Sequence, residues 1–159
     1  MPSLPTTSFV LLIVQLLIVV NAGQPSPSCK ASPGSPTWPS LSEWHALNSS
    51  ISGRLLQPIP PGAVCHPGQP TYNPALCPKV YAEFFTVDFY AGDPITDAWP
   101  GWNNDSCLPW LPAPCSDAAF PVYAVNATCK EDVKKGVDFA REHNVRLVVK
   151  ATGHDYLGR

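Results

Sequence analysis

Between Pro58 and Pro121 almost every run of residues is cut by a proline or a cysteine, and this punctuation limits the fold more than any other feature. The chain has 159 residues, among them 20 prolines and six cysteines. Proline fixes φ and removes a backbone donor, so neither a long helix nor a central strand can pass through such a stretch. The expectation is a set of loops tied down by disulfides, with large apolar side chains filling the space beneath them. Val80 to Tyr90 is the one ambiguous run, readable as helix or strand. Trp99, Trp102 and Trp110 are read as plugs under the loops, with a carbohydrate-stacking platform as the alternative.

The cysteines point to an oxidising compartment. Cys29, Cys65, Cys77, Cys107, Cys115 and Cys129 are even in number, as in a disulfide framework, and spacing does not choose among their pairings. No Cys-x-x-Cys and no close histidine pair is present, so no metal site is expected. Phe9 to Val20 is apolar except for Gln15, too short to span a bilayer comfortably, and Val20-Asn-Ala22 has the small-residue pattern of a signal-peptidase site. Residues 1–22 are therefore read as a signal peptide and the protein as secreted, with no membrane attachment after cleavage. Met1 to Ser8 holds no lysine or arginine, which departs from the usual signal pattern, and an uncleaved anchor is the alternative. Asn48-Ser-Ser50, Asn104-Asp-Ser106 and Asn126-Ala-Thr128 are three glycosylation sequons. Asn126 lies so close to an expected helix start that Thr128 is also read as a cap.

Local signals divide the remainder. Residues 23–39 have the Pro/Ser composition of a flexible leader. Ser40 and Glu43 have capping-box spacing, and Leu41, Trp44, Leu47 and Ile51 keep one face of a short helix that stops before Gly53. Residues 40–120 form the Cys/Pro-rich extension. From Pro121 the character changes. Pro121 to Val125 reads as a short strand. Thr128 and Glu131 then have capping-box spacing, Glu131 and Asp132 suit the positive end of a helix dipole, and Val133, Val137 and Ala140 form an apolar stripe. Asn144 suits a left-handed helix end, and Arg146 to Lys150 reads as a second, apolar strand. Strand, helix and strand make a βαβ unit with a right-handed crossover, and ligands of such sheets gather beyond the strand carboxyl ends. That is where Ala151 to Arg159 lies, with His154 between Gly153 and Gly158.

The segment Arg146-Leu-Val-Val-Lys-Ala-Thr-Gly-His-Asp-Tyr-Leu-Gly-Arg159 resembles the flavin-attachment segment of secreted FAD-linked oxidases of the vanillyl-alcohol oxidase and p-cresol methylhydroxylase superfamily. It is most similar to the berberine-bridge-enzyme-like group and its fungal isoamyl-alcohol-oxidase-like members. Trp44-His-Ala-Leu-Asn48, Gly53-Arg-Leu55, Val64-Cys-His66 and Trp102-Asn-Asn-Asp-Ser-Cys107 resemble their leader region. The resemblance implies an α+β fold in which residues 121–159 open a PCMH-type FAD-binding domain. It implies that a His154 ring nitrogen bonds covalently to the 8α-methyl carbon of FAD, which requires a neutral imidazole. Gly153, Thr152, Asp155 and Gly158 are the accompanying cofactor-binding positions, the glycines admitting close backbone approach and successive loop amides meeting the pyrophosphate. The alternative for this loop is a turn with a surface histidine. Lys150 is read either as a cofactor contact or as a solvated strand end, Tyr156 as a stacking or packing residue, and Arg159 as a phosphate partner or a frayed terminus.

A formal net charge of −2 argues against a nucleic-acid partner, and no Walker loop, Gly-x-Gly-x-x-Gly fingerprint or serine-histidine triad is present. Lysine and arginine gather after Cys129, where they either surround a phosphate site or solvate a helix. An open βαβ unit needs further strands, so the chain is expected to be an incomplete N-terminal portion of a longer enzyme, inactive alone. The whole would oxidise an alcohol, sugar or related small molecule and pass electrons to oxygen. The competing expectation is a secreted, disulfide-rich glycoprotein with a binding or structural role and no catalysis.

Overall fold

The computed structural model describes residues 29–154. The signal segment, Asp155, Tyr156, Gly158 and Arg159 lie outside the described residues, and the compact unit described here begins at Ala31. It is mixed helix and sheet. Helix α1 spans Leu41–Ser50, β1 Leu55–Leu56, α2 Cys77–Glu83, α3 Val87–Gly92, β2 Ala124–Val125 and α4 Lys130–Glu142, with 3-10 turns at Pro61–Cys65 and Pro100–Asn103.

Helix α1 forms as its sequence predicts. The Ser40 hydroxyl accepts the Glu43 amide and the Glu43 carboxylate accepts the Ser40 amide at 2.6 Å, the reciprocal arrangement of a capping box. Trp44, Leu47 and Ile51 face inward, and Ile51 is completely buried. Around them pack Trp38, Leu55, Tyr123, Val125 and Phe139. The Trp44 ring stacks on Tyr123 at 4.2 Å between centroids and meets Phe139 at 4.6 Å and Trp38 at 5.4 Å. Each such ring pair contributes roughly 0.5–1.5 kcal/mol beyond area burial. Leu41 departs from expectation: it is 70% exposed and lies outside the Trp44 cluster.

The leader is also more ordered than its composition predicts. Ala31 donates to the Asn144 carbonyl at 3.0 Å and bridges Val145 in parallel, and Trp38 packs on Trp44, so the described part is held at both ends.

The two strands pair antiparallel, Leu55 opposite Val125 and Leu56 opposite Ala124, joining segments about 70 residues apart in sequence. The expected βαβ unit does not form here. Only Ala124–Val125 of its first strand is extended and paired, its partner is β1, and Arg146 to Lys150 carries no ladder. Strand status needs a neighbour to take the backbone donors and acceptors, and none stands beside this run among the described residues.

Helix α4 is present, with two corrections. Its N-cap is Cys129, not Thr128, and the capping carboxylate belongs to Asp132: its Oδ2 accepts the Thr128 amide at 3.0 Å and the Thr128 hydroxyl at 3.2 Å. Asp132 outcompetes Glu131 because it also takes both ends of a bidentate contact from Arg54 Nη2, at 2.6 and 2.7 Å, which ties the β1 approach to the helix start. Second, the buried side is the Asp132, Phe139 and Ala140 face, while Val133 and Val137 stay half exposed. The position of β2 and of the Trp44 cluster decides which side turns inward. Asn144 does adopt the left-handed conformation, φ 53°.

The extension is a loop-rich body held by two disulfides, Cys65–Cys77 and Cys107–Cys115. Cys29 and Cys129, both exposed, lie outside these bridges. The ambiguous run resolves into α2 and α3, broken between Glu83 and Val87. Phe84, Phe85 and Tyr81 gather around Trp110 at 5.6–5.9 Å, so Trp110 is the plug expected, whereas Trp99 and Trp102 are about half exposed. Gly62 allows the 3-10 turn to lie against the opposite loop: a Cβ there would stand 2.2 Å from the Cys107 carbonyl oxygen. Buried His66 locks the same contact through Nε2 and the Leu108 carbonyl, 2.6 Å apart.

Candidate functional site

The site is assembled by the end of the extension and the segment that carries His154. Thr86 starts α3 by accepting the Phe89 amide, and the helix delivers Tyr90 inward, where it is 6% exposed. After the helix, Asp93 Oδ1 accepts the amides of Ile95 and Thr96 at 3.0 and 2.9 Å, closing an Asx turn that swings the chain round. The Thr96 hydroxyl reaches back to the Tyr90 carbonyl at 3.4 Å.

This bend receives the predicted loop. Ala98 donates to the Gly153 carbonyl at 2.8 Å, and the Lys150 ammonium reaches the Ala91 carbonyl at 3.5 Å. Gly153 has φ 79°, a conformation that glycine adopts without strain. A Cβ at Gly153 would meet Lys150 Cε at 3.1 Å, the Thr96 carbonyl at 3.3 Å and Asp97 Cα at 3.4 Å, so its close approach is to the Thr96–Asp97 backbone. His154 is exposed, its Nε2 lies 3.5 Å from the Tyr90 hydroxyl, and the two rings meet edge to face at 5.2 Å.

Asp97 lies in the same bend, where its backbone meets Gly153. Burial pushes its carboxyl up from the ordinary value, against the Trp99 amide, the Asn103 side chain and the Lys150 charge, which favour the ionised form.

Sequence reasoning brought His154, Gly153, Thr152 and Lys150 to one place, and the structure puts them on one short loop, with Thr152 exposed. Tyr90, Asp93, Thr96 and Asp97 were missed. The turn-forming Asp93-Pro-Ile-Thr96 was a usable local signal, but nothing local announces a contact between residues 64 positions apart. Three basic residues of α4 have partners away from this loop: Lys134 and Arg141 pair with Asp138 on the same helix, and Lys135 reaches the Ser50 carbonyl at the end of α1. Of the sequons, Asn104 and Asn126 are exposed, while Asn48 Oδ1 accepts the Leu55 amide at 3.0 Å. His66, Cys107 and Cys115 bring their ligand atoms within 4.8 Å of one another, but both sulfurs are committed to a disulfide. No helix among the described residues is long and apolar enough to cross a membrane.

No family profile matches the chain. It is 43% identical over 145 residues to the FAD-linked oxidoreductase apf9 of Gibberella fujikuroi, a match covering 89% of this chain and 24% of that protein. Crystal structures of two VAO-type flavoproteins of Myceliophthora thermophila C1 superpose on it. MtVAO615 does so with a TM-score of 0.74 at 36% identity over 82% of this chain and 25% of its own, and MtVAO713 with 0.76 at 35% identity over 84% and 24%. The chain thus spans about a quarter of the length of the proteins it matches. Over that shared segment, in sequence and in backbone course, it belongs to the vanillyl-alcohol oxidase and p-cresol methylhydroxylase superfamily of flavoproteins.

Proposed function

We propose that this chain is the part of a secreted flavin-dependent oxidoreductase that carries the covalent attachment point for FAD, His154, and that the enzyme falls in the berberine-bridge-enzyme-like group. The observation that carries the reading is the glycine loop itself: Gly153 is pinned to the Ala98 amide and the exposed His154 follows it, in a chain 43% identical over 145 residues to a protein named FAD-linked oxidoreductase. When bound, FAD supplies the redox chemistry, taking a hydride from an alcohol, sugar or related small molecule and passing electrons to oxygen.

What the residues of this chain do is narrower. The bend from Asp93 to Ala98 holds the loop, Gly153 sets its direction, and His154 offers a ring nitrogen to the cofactor, with Thr152 before it on the loop and Asp155 and Gly158 following in sequence. Val133, Val137, Leu147, Val148 and Val149 are each exposed, over residues 133–149. That supports a longer protein in which further strands cover them, as the roughly fourfold greater length of the relatives also favours. Entry to the secretory pathway through residues 1–22, sugar at Asn48, Asn104 and Asn126, and two structural disulfides complete the reading.

The test is to denature protein made from the native gene, precipitate it in acid and look for flavin fluorescence in the pellet. Flavin that stays with the wild-type pellet and moves to the supernatant in His154→Ala supports the reading. Flavin free in both defeats covalent attachment at this residue.

A further inference from the structure

We propose that Tyr90 is a positioning residue for the attachment of flavin to His154, and that its hydroxyl fixes which ring nitrogen keeps the proton. The proposal rests on the reading of His154 given above.

Tyr90 is buried, its backbone is tied through the Thr96 hydroxyl, and its phenol oxygen lies 3.5 Å from His154 Nε2 with the rings edge to face. The backbone beside His154 is held by the same bend, through the Ala98 amide on the Gly153 carbonyl and Lys150 on Ala91. Ring and backbone of the histidine are therefore referenced to one short stretch, Tyr90 to Ala98. A neutral imidazole has one N–H and one lone pair, and the partner of one nitrogen decides the state of the other. With Nε2–H donating to the Tyr90 oxygen, Nδ1 carries the lone pair and is the nucleophile.

The atoms then balance. A bond forms between Nδ1 and the 8α-methyl carbon. That carbon gives up one hydrogen and Nε2 gives up its proton to solvent, to which His154 is exposed. The two electrons released pass through the isoalloxazine to molecular oxygen, which with the two hydrogens becomes hydrogen peroxide. Tyr90 is placed to hold the proton on Nε2, by accepting its hydrogen bond, until the bond forms. The disulfide-tied extension thereby acquires a role in the chemistry of the loop.

The experiment uses protein from the native reading frame, produced without riboflavin and then given FAD. The mass of the peptide containing His154 is followed in time for wild type, Tyr90→Phe and Tyr90→Leu. Phe keeps the ring and removes only the oxygen. A hydroxyl role predicts that Tyr90→Phe links flavin about tenfold more slowly than wild type, the worth of one hydrogen bond, with an unchanged thermal transition, and that Tyr90→Leu is slower still. A packing role predicts wild-type speed in Tyr90→Phe, and that result overturns the proposal. The imidazole ¹⁵N shifts of flavin-free wild type give a second measurement that needs no variant. A protonated Nε2 is expected, and an unprotonated Nε2 overturns the proposal. Wild-type protein that never takes flavin at His154 defeats the underlying site reading, a result distinct from equal rates in wild type and Tyr90→Phe.

Discussion

Leu47, Ile51 and Val125 in the Trp44 cluster, and Leu147, Val148 and Val149 after α4, are the same kinds of side chain with opposite fates. The first group closes on Trp44, Tyr123 and Phe139, with Leu47 and Ile51 nearly sealed from solvent and Val125 partly buried. The second lies open, Val149 at 77% exposure, and its backbone forms no ladder. Apolar sequence is thus a demand for a partner, and whether a run becomes a strand depends on the partner being beside it. The closed region owes its order to contacts it contains: the Ser40 box, two disulfides, Gly62 against Cys107 and Arg54 on Asp132.

That contrast can be broken most forcefully at Trp44. Trp44→Ala removes the ring shared by Trp38, Tyr123 and Phe139 and is expected to cost about 3–5 kcal/mol in denaturant unfolding. Opening the Cys65–Cys77 bridge by the double alanine variant frees a loop with a sequence separation of 12, and the chain-entropy relation puts that near 3 kcal/mol. Gly62→Ala forces a methyl into the Cys107 carbonyl, and the same unfolding curve should move by about 1–3 kcal/mol.

Asp132 gives a subtler effect, read against pH. The Thr128 amide and then the Arg54 guanidinium hold its carboxyl far below the carboxylate range. A depressed carboxyl stabilises the fold fully above its unfolded pKa of about 4 and loses that contribution as pH falls through the lowered folded value. The thermal transition of wild type should therefore fall on acidification below about pH 4, and Asp132→Asn should start lower at neutral pH with a shallower acid limb. Equal acid limbs would remove Asp132 from the account.

The smallest effect belongs to the open side. In the 159-residue chain, Val149→Ser should change stability by no more than about 0.5 kcal/mol, because the side chain is already in water. In the longer protein proposed here the same change should be clearly destabilising. Equal small effects in both would mean that nothing covers this face.

Which features were legible in the sequence follows from the range of the forces involved. The Ser40 box, the existence of α4 and the left-handed Asn144 are decided within a few residues, and all three are present. The α4 cap was misassigned because Arg54, distant in sequence, chooses Asp132. The buried face of α4 was misassigned because β2 and Trp44 choose it. At the candidate site the loop of His154 was legible from its glycines, whereas Tyr90 and Asp97 reach it only through the bend after α3. The disulfide pairings, equally nonlocal, also came only with the fold.

The central claim is that His154 is the flavin anchor. It is tested most directly by the mass of the His154 peptide from protein secreted by the native gene and saturated with FAD. The account predicts that peptide to carry a covalent FAD adduct on the imidazole. An unmodified His154 throughout the sample would contradict it.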